Sequence, residues 1–258
     1  MLCLIDADIV AHRVGFTTEN DEEWIAKVRC DEMLEGMLYA TEATDYQLWL
    51  SDSLENNFRL QICPEYKANR LAKPKPKWHE IIKEHLIIVW GARIAYNQEA
   101  DDALGIGQDK VNIDNDTGTV ICSIDKDLLQ IPGNHYNFVK EEFTYVFPQE
   151  GLIHFYKQLL IGDPSDNIVG CPGIGDGKAG KALSGASSED AIFNIVVNLY
   201  RKQCKGLTED TILQRILIAG QLLKIRQKED EELWQFPTSL KSNLTEDSKP
   251  SSTPQKQV

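Results

Sequence analysis

The 258-residue chain lacks the features of several protein classes. Its six cysteines are scattered, without a Cys-x-x-Cys pair or a histidine at zinc-finger spacing, so we expect buried thiols and neither a disulfide framework nor a zinc site. No apolar run approaches the ~18 residues that a membrane span needs. The apolar start meets Asp6 too early for a signal peptide. We therefore expect a cytoplasmic protein with no membrane partner.

Positive charge is also scarce, with 27 Lys and Arg against 40 Asp and Glu and a net charge of −13. Taken alone, this balance argues against a nucleic-acid partner. The basic residues cluster, however, because residues 59–83 and 201–228 each hold seven of them against two acids. Ten of the acids fall in short groups that we interpret as one cluster: Asp6, Asp8, Asp52, Glu99, Asp101, Asp102, Asp125, Asp127, Asp163 and Asp166. An acidic centre with basic flanks fits a metal site that binds a polyanion.

Apolar patterns predict an α/β fold with a mostly parallel sheet, followed by helices alone. Buried strands are expected at 2–5, 46–50, 92–96 and 119–124, and short edge strands at 136–139 and 143–147. Helices are expected at 21–41, from Trp78 to Val89, from an opening at residues 99–102, and at 151–161, 188–202 and 209–226. The first helix is expected to pack through the stripe Trp24, Val28, Leu34 and Leu38.

The same patterns divide the chain into three parts. Residues 1–147 are predicted to form the α/β core, and residues 148–236 a helical subdomain. Residues 237–258 are rich in Ser, Thr, Pro, Lys and Gln and hold no aromatic residue, which predicts a disordered tail. Between them, residues 53–77 form a long basic connection of the kind that is usually functional.

Acidic side chains follow several of the predicted strands. Asp6, Asp52 and Asp125 each end an apolar run, and Glu99 and Asp101 follow the third strand. Ligands bind at the carboxyl edge of parallel strands, so these acids should converge there. Carboxylates raise one another's pKa, and divalent cations relieve this repulsion. Hard oxygen ligands favour Mg²⁺ or Mn²⁺, and two such ions ~3.5–4 Å apart are a known device for phosphodiester hydrolysis.

A glycine-rich segment, residues 160–183, supplies the helical side of this site. Asp163 and Asp166 are three residues apart, so one helical turn would aim both the same way. A turn with Gly173, Gly175 and Gly177 then precedes a helix start, where backbone N–H groups bind phosphate. The run nearly matches a nucleotide-binding loop, but Ala182 stands where the Mg²⁺-binding hydroxyl is required.

Together these motifs resemble the 5′→3′ exonuclease and flap-endonuclease family, especially its phage-type members. The matching segments occur in the family's order: residues 4–8, 51–52, 65–70, 99–102, 123–127 and 162–167 with the glycine run. The resemblance implies a PIN-like catalytic core and a helix–three-turn–helix element in the helical subdomain. It implies two Mg²⁺ ions, replaceable by Mn²⁺, one held by Asp6, Asp52, Glu99 and Asp101 and the other by Asp125, Asp127 and Asp163. Asp102 and Asp166 would support these ligands.

The resemblance also implies the residues that contact DNA. Lys67 and Arg70 would act in catalysis by stabilising charge on the scissile phosphate. The remaining contacts would come from Arg59, from Tyr66 stacking on bases, and from a duplex clamp of Gly173, Gly175, Gly177, Lys178 and Lys181. The implied substrate is duplex DNA with 5′ ends or 5′ flaps, bound by a monomer in phage DNA replication or host DNA degradation.

Two other functions are compatible with the sequence. A PIN-type ribonuclease acting on single-stranded RNA shares the sheet and the acids but has no need of the glycine clamp. A non-catalytic, structure-specific DNA-binding protein gains nothing from so many carboxylates facing phosphate. The complete acid set therefore favours a metal-dependent 5′→3′ exonuclease, with flap cleavage as a related activity.

Overall fold

The computed structural model describes residues 1–70, 73–114 and 118–237. Its main sheet has six strands: β1 (Leu2–Asp6), β2 (Asp45–Ser51), β3 (Arg93–Ala95), β4 (Thr119–Cys122), β5 (Gly133–Asn137) and β6 (Glu142–Val146). Their order is β3-β2-β1-β4-β5-β6. Strands β1 to β5 are parallel, and β6 is antiparallel to β5. This mainly parallel sheet confirms the predicted fold class.

Nine α-helices lie in the described ranges. They are α1 (Ala7–Thr17), α2 (Glu23–Ala40), α3 (Arg59–Ile62), α4 (His79–Ile88), α5 (Ala100–Asp114), α6 (Pro148–Ile161), α7 (Asp176–Leu183), α8 (Glu189–Gln203) and α9 (Glu209–Leu223). Helices α1, α2 and α4 cover one face of the sheet, and α5 packs on the other face. The central strand β1 is therefore buried on both sides, which explains its unbroken apolar run.

Helix α1 was not predicted from the sequence. It begins directly after β1, because the Asp6 carboxylate accepts a hydrogen bond from the Ile9 N–H at 3.1 Å and caps the helix. Asp6 thus ends a strand and starts a helix within one residue. The sequence around Asp6 indicates the end of a strand. It contains no separate signal that a helix begins at the same residue.

Helix α2 packs mainly against α1 and α4, through a face that agrees only in part with the predicted one. Trp24 is 65% exposed and Val28 is 44% exposed. The buried positions are Ala26, Cys30, Leu34 and Met37, which follow the helical period but include only two large apolar side chains. Leu34 is buried and Leu38 is partly buried as predicted, but the stripe is wrong at Trp24 and Val28, where Ala26 and Cys30 face the core instead.

The helical part of the chain has its own core. Helices α6, α8 and α9 contribute Tyr156, Phe193 and Ile216, each with no exposed surface. The segment after α9 runs back over this core, and the Trp234 ring packs edge-on against Phe155 at 5.4 Å. The predicted tail lies outside the described residues except for Pro237, and the three-part division of the chain stays a prediction.

None of the helices in the described residues is both long enough and apolar enough to cross a membrane.

Candidate metal centre and its basic flank

The carboxyl ends of β1 and β4 bring Asp6 and Asp125 to one edge of the sheet. Asp6 is 2% exposed, and its carboxylate accepts a hydrogen bond from the Ser123 hydroxyl at 2.9 Å. Burial, together with the nearby charge of Asp8, raises the pKa of Asp6 to about 7. The Asp125 charge acts in the same direction. These side chains therefore meet as the parallel-strand rule predicts.

Asp101 and Asp127 join this edge from the start of α5 and from the turn after β4. Burial raises the pKa of Asp101 well above its ordinary value, and the charges of Asp6 and Asp125 raise it further. Burial and the Asp125 charge raise the pKa of Asp127 to about 7. Carboxylates that raise one another's pKa are stabilised in their charged form by a divalent cation.

A cleft between the sheet edge, the 163–168 turn and residues 222–225 contains most of the predicted ligands. Tyr66 and five carboxylates line it: Glu99, Asp101, Asp127, Asp163 and Asp166. Within the described ranges, no three His, Cys, Asp or Glu side chains are already drawn together around one ion position. The donors are nevertheless all hard oxygens, which is the set that Mg²⁺ and Mn²⁺ prefer. The residues of the cleft thus fit a divalent-metal centre by their chemistry.

Glu99 is held by protein donors on one side of this cleft. The Lys67 ammonium lies 2.5 Å from Glu99 Oε1, and the Tyr66 hydroxyl lies 3.1 Å from the same oxygen. Burial acts to raise the pKa of Glu99, but Lys67 and Arg59 hold it below its ordinary value. Lys67 reaches this position from a left-handed backbone conformation with φ +55°. Lys67 and a bound cation would therefore compete for the negative charge of Glu99.

Asp163 and Asp166 lie on a hairpin turn and not on the helical turn that their spacing predicts. The turn joins β7 (Gly162–Asp163) to β8 (Ile168–Val169). The Asp166 carboxylate forms an ion pair with Arg70, and its second oxygen lies 3.5 Å from the Lys67 ammonium. The predicted phosphate contacts, Lys67 and Arg70, therefore both touch carboxylates of the cleft.

Asp52 differs from the other predicted ligands. One of its carboxylate oxygens accepts from the Ser53 N–H at 2.7 Å and from Asn56, and the other accepts from the Asn97 N–H at 2.9 Å. These hydrogen bonds lower the pKa of Asp52, the Asn97 bond most. In this structure Asp52 fastens the loops that follow β2 and β3. Its assignment as a metal ligand stays a prediction.

The predicted roles of Arg59 and Tyr66 change, whereas Asp102 lies where a supporting acid was expected. Arg59 is 2% exposed and forms a two-pronged ion pair with Asp102, which is fully buried. Arg59 is therefore not a DNA-facing residue, and both Asp102 oxygens are occupied by its guanidinium. Tyr66 is 2% exposed, with its hydroxyl between Glu99 and Asp166, so its ring is not available for stacking on bases. All three residues support the cleft from inside the protein.

The glycine turn and the start of α7 form an open surface beside the cleft. An added Cβ at Gly173, Gly175 or Gly177 would meet no atom within 4 Å, and Gly173 has φ +72°. Lys178 and Lys181 are exposed on α7, and the Lys178 ammonium donates to the Gly173 carbonyl at 2.9 Å. The predicted clamp residues are thus together, and their backbone is accessible to a phosphate.

Sequence reasoning missed several side chains that hold the acids. The Gln158 amide donates to Asp127 at 2.6 Å, and the Asn57 amide donates to Glu99 at 2.9 Å. Asp8, which was expected in the acidic cluster, accepts from the Ser51 N–H at 2.7 Å. Ser123 could have been found, because it lies two residues before Asp125 at the end of a strand. Gln158 lies on a helix far away in sequence and gave no signal.

Comparison with known proteins gives one consistent result. Residues 1–157 match the model of the 5′-3′ exonuclease N-terminal resolvase-like domain. The chain is 26% identical over 185 residues to a 5′-3′ exonuclease of Mycobacterium tuberculosis, covering 58% of this chain and 57% of that protein. It is 26% identical over 179 residues to the flap endonuclease Xni of Shewanella baltica, covering 64% and 67%. It is 29% identical over 205 residues to DNA polymerase I of Bacillus caldotenax, of which it spans 23%.

Solved structures share the fold. The T5 5′-exonuclease with bound zinc superposes with a TM-score of 0.56 at 16% identity, covering 85% of this chain and 99% of that one. A bacteriophage T5 flap endonuclease, solved as a pseudo-enzyme–product complex with DNA and metal ions, gives 0.56 at 15% identity and covers 85% and 98%.

Proposed function

Because the chain belongs to the 5′-3′ exonuclease family, we propose that it is a metal-dependent nuclease that hydrolyses DNA phosphodiester bonds from 5′ ends, and also at 5′ flaps. The observation that carries the proposal is the cleft of five carboxylates beside an exposed glycine–lysine surface. Carboxylates in such number serve a divalent cation, and the basic surface serves a phosphate backbone. The implied cellular setting, phage DNA replication or host DNA degradation, belongs to this proposal.

The residues in and around the cleft would have different roles. Asp6, Glu99, Asp101, Asp125, Asp127 and Asp163 would hold two Mg²⁺ ions, with Asp52 predicted as a further ligand and Asp166 as support. When bound, such ions activate the attacking water and stabilise the leaving oxygen. Lys67 and Arg70 border the cleft and would supply positive charge for the scissile phosphate, because their ion pairs with Glu99 and Asp166 hold both cations beside the carboxylates. The Tyr66 hydroxyl lies within hydrogen-bond distance of both Glu99 and Asp166 and would help to position them.

The glycine turn supplies binding without sequence preference. Backbone N–H groups at the start of α7, with Lys178 and Lys181, would hold the duplex by its phosphates. This surface distinguishes the proposal from a ribonuclease of single-stranded RNA, which has no use for a duplex clamp. The duplex would then lie with one strand end directed to the acidic cleft.

The test is digestion of 5′-labelled duplex DNA, 5′-flap DNA, single-stranded DNA and single-stranded RNA, with Mg²⁺ or with EDTA. We expect Mg²⁺-dependent cleavage of the duplex and the flap, and product sizes that separate mononucleotide release from flap removal. Asp125→Asn should lower the rate by at least about 100-fold and keep duplex binding, because it removes one ligand and leaves the clamp intact. Asp21→Asn, at an exposed site, is the matched control. Preferred cleavage of RNA, or wild-type cutting by Asp125→Asn, would contradict the proposal.

A further inference from the structure

A buried ion pair joins the metal cleft to the end of the helical subdomain. Arg59 Nη1 and Nη2 donate to the two Asp102 oxygens at 2.6 and 2.9 Å. Arg59 Nε donates to the Leu222 carbonyl at 2.8 Å, and Nη2 donates to the Lys224 carbonyl at 3.1 Å. Arg59 therefore satisfies carbonyl groups at the carboxyl end of α9, where helix carbonyls lack partners within the helix.

Asp102 extends the connection in both directions. One of its oxygens accepts from the Arg226 N–H at 3.0 Å, and the other accepts from the Glu99 N–H at 3.2 Å. Glu99 and Asp101 both belong to the predicted metal ligands and lie in the same turn. The position of this turn is thus tied to residues 222–226, a segment more than one hundred residues later in the chain.

A second contact fixes the Glu99 side chain itself. Asn57 is 3% exposed, its oxygen accepts from the Arg59 N–H at 2.9 Å, and its amide donates to Glu99 Oε1 at 2.9 Å. The Arg226 guanidinium lies 4.1 Å from the centre of the Phe58 ring and donates to the Gln98 side chain at 3.3 Å. The backbone and the carboxylate of Glu99 are therefore both set by neighbours of the pair.

Helix α5 and the segment after α9 fit together closely. A Cβ added at Gly105 would collide with the Arg226 carbonyl oxygen. A larger residue there would push residues 225–226 away from the helix that begins with Asp101 and Asp102. This contact lies on the far side of the turn and carries no charge.

We propose that Arg59 is a positioning residue: through Asp102 and Asn57 it places Glu99 and Asp101 for metal binding, so that the metal centre is complete only when residues 222–226 are docked against α5. The inference rests on the proposed metal-dependent function. Burial of an ion pair does not by itself argue for stability, because apolar replacements of both partners are often neutral. An apolar replacement of Arg59 and Asp102 would, however, lose the hydrogen bonds that position Glu99 and Asp101.

Two variants test the inference by Mn²⁺ titration without DNA and by steady-state cleavage. Arg59→Met/Asp102→Leu removes both charges together, so the net charge near the cleft does not change. Gly105→Ala displaces residues 225–226, while Gly36→Ala in α2, where an added Cβ meets no atom within 4 Å, is the matched control. Ala favours a helix over Gly by about 1 kcal/mol, so lost helix propensity would not explain a defect.

We expect both test variants to remain folded by circular dichroism, to bind Mn²⁺ about 10- to 100-fold more weakly, and to lose kcat with a KM for DNA within about threefold of wild type. Gly36→Ala should match wild type in every measurement. Wild-type Mn²⁺ affinity in Gly105→Ala would overturn the inference, and so would an unfolded Gly105→Ala protein, since the segment would then be needed for folding itself. Absence of cleavage by the wild-type protein, with Mn²⁺ binding that still depends on Gly105, would contradict the proposed activity alone.

Discussion

Asp127→Asn should stabilise the metal-free protein while weakening its metal centre. Burial and the charge of Asp125 raise the pKa of Asp127 from 3.8 to about 7. The folded protein therefore keeps a proton that the unfolded chain releases. Asparagine has nearly the same shape, carries no charge, and its oxygen can still accept the hydrogen bond that Gln158 donates at 2.6 Å. The substitution removes the electrostatic cost and keeps the packing.

The size and pH dependence of the gain follow from the pKa. A folded-state pKa above the unfolded value makes the unfolded state release protons first, so wild-type stability falls as the pH rises from about 4 to about 7 and is then level. Three pKa units at about 1.4 kcal/mol each give an upper bound of about 4 kcal/mol. Asp127 is partly exposed and screened by water, so we expect a gain of about 2–3 kcal/mol in the free energy of unfolding above about pH 7.

Urea unfolding followed by tryptophan fluorescence in EDTA measures this gain. The Asp127→Asn advantage should be close to zero near about pH 3 and should rise to its full value by about pH 7. Saturating Mn²⁺ should reduce or reverse the stability advantage of Asp127→Asn, because the ion stabilises the wild-type protein more than the variant. Asp21→Asn, at an exposed site, is the control for removing a carboxylate that is not buried. A loss of stability, or a gain that is the same at every pH, would refute the argument from carboxylate repulsion.

Three further predictions concern the flank of the cleft. Lys67→Met should raise the affinity for Mn²⁺ in the absence of DNA by roughly tenfold, or about 1.4 kcal/mol, because the Lys67 ammonium lies 2.5 Å from Glu99. Weaker binding by the variant in a Mn²⁺ titration would contradict this. Gly162→Ala should lower the free energy of unfolding by about 2 kcal/mol or more, since φ at this position is +74° and the added methyl group would collide with Gly170. An unchanged midpoint of urea unfolding would be inconsistent with that geometry. Lys178→Ala should reduce the slope of log affinity for duplex DNA against log salt by about one, with kcat kept; an unchanged slope would exclude a phosphate contact.

Much of the fold could be predicted from the sequence because its signals are local. The buried strands are short apolar runs, and the acids at their carboxyl ends follow directly in the chain. Parallel strands share one carboxyl edge, so Asp6 and Asp125 were expected to meet before any coordinates were known. Helix α1 was missed for an equally local reason, since the acid that caps it also ends β1.

The misassigned side chains share a different cause. Arg59 lies in a basic stretch of sequence, which indicated a DNA contact, yet its partner Asp102 is 43 residues away. The spacing of Asp163 and Asp166 suits a helical turn, but Gly162, with φ +74°, turns the chain into a hairpin. The positions of these side chains depend on packing between distant residues, which neither local charge nor local spacing in the sequence indicates.

The strands, the order of the acidic motifs and the glycine turn could be read from the amino-acid sequence, because each is marked by residues close together in the chain. Which charges face the cleft and which are buried beneath it depends on packing between distant parts of the chain. The docking of the α9 end against α5 decides this, since it removes Arg59 and Asp102 from water and obliges them to pair. Desolvation and distance act in three dimensions, so two basic residues of the same stretch of sequence differ: Arg59 is internal and Lys67 borders the cleft.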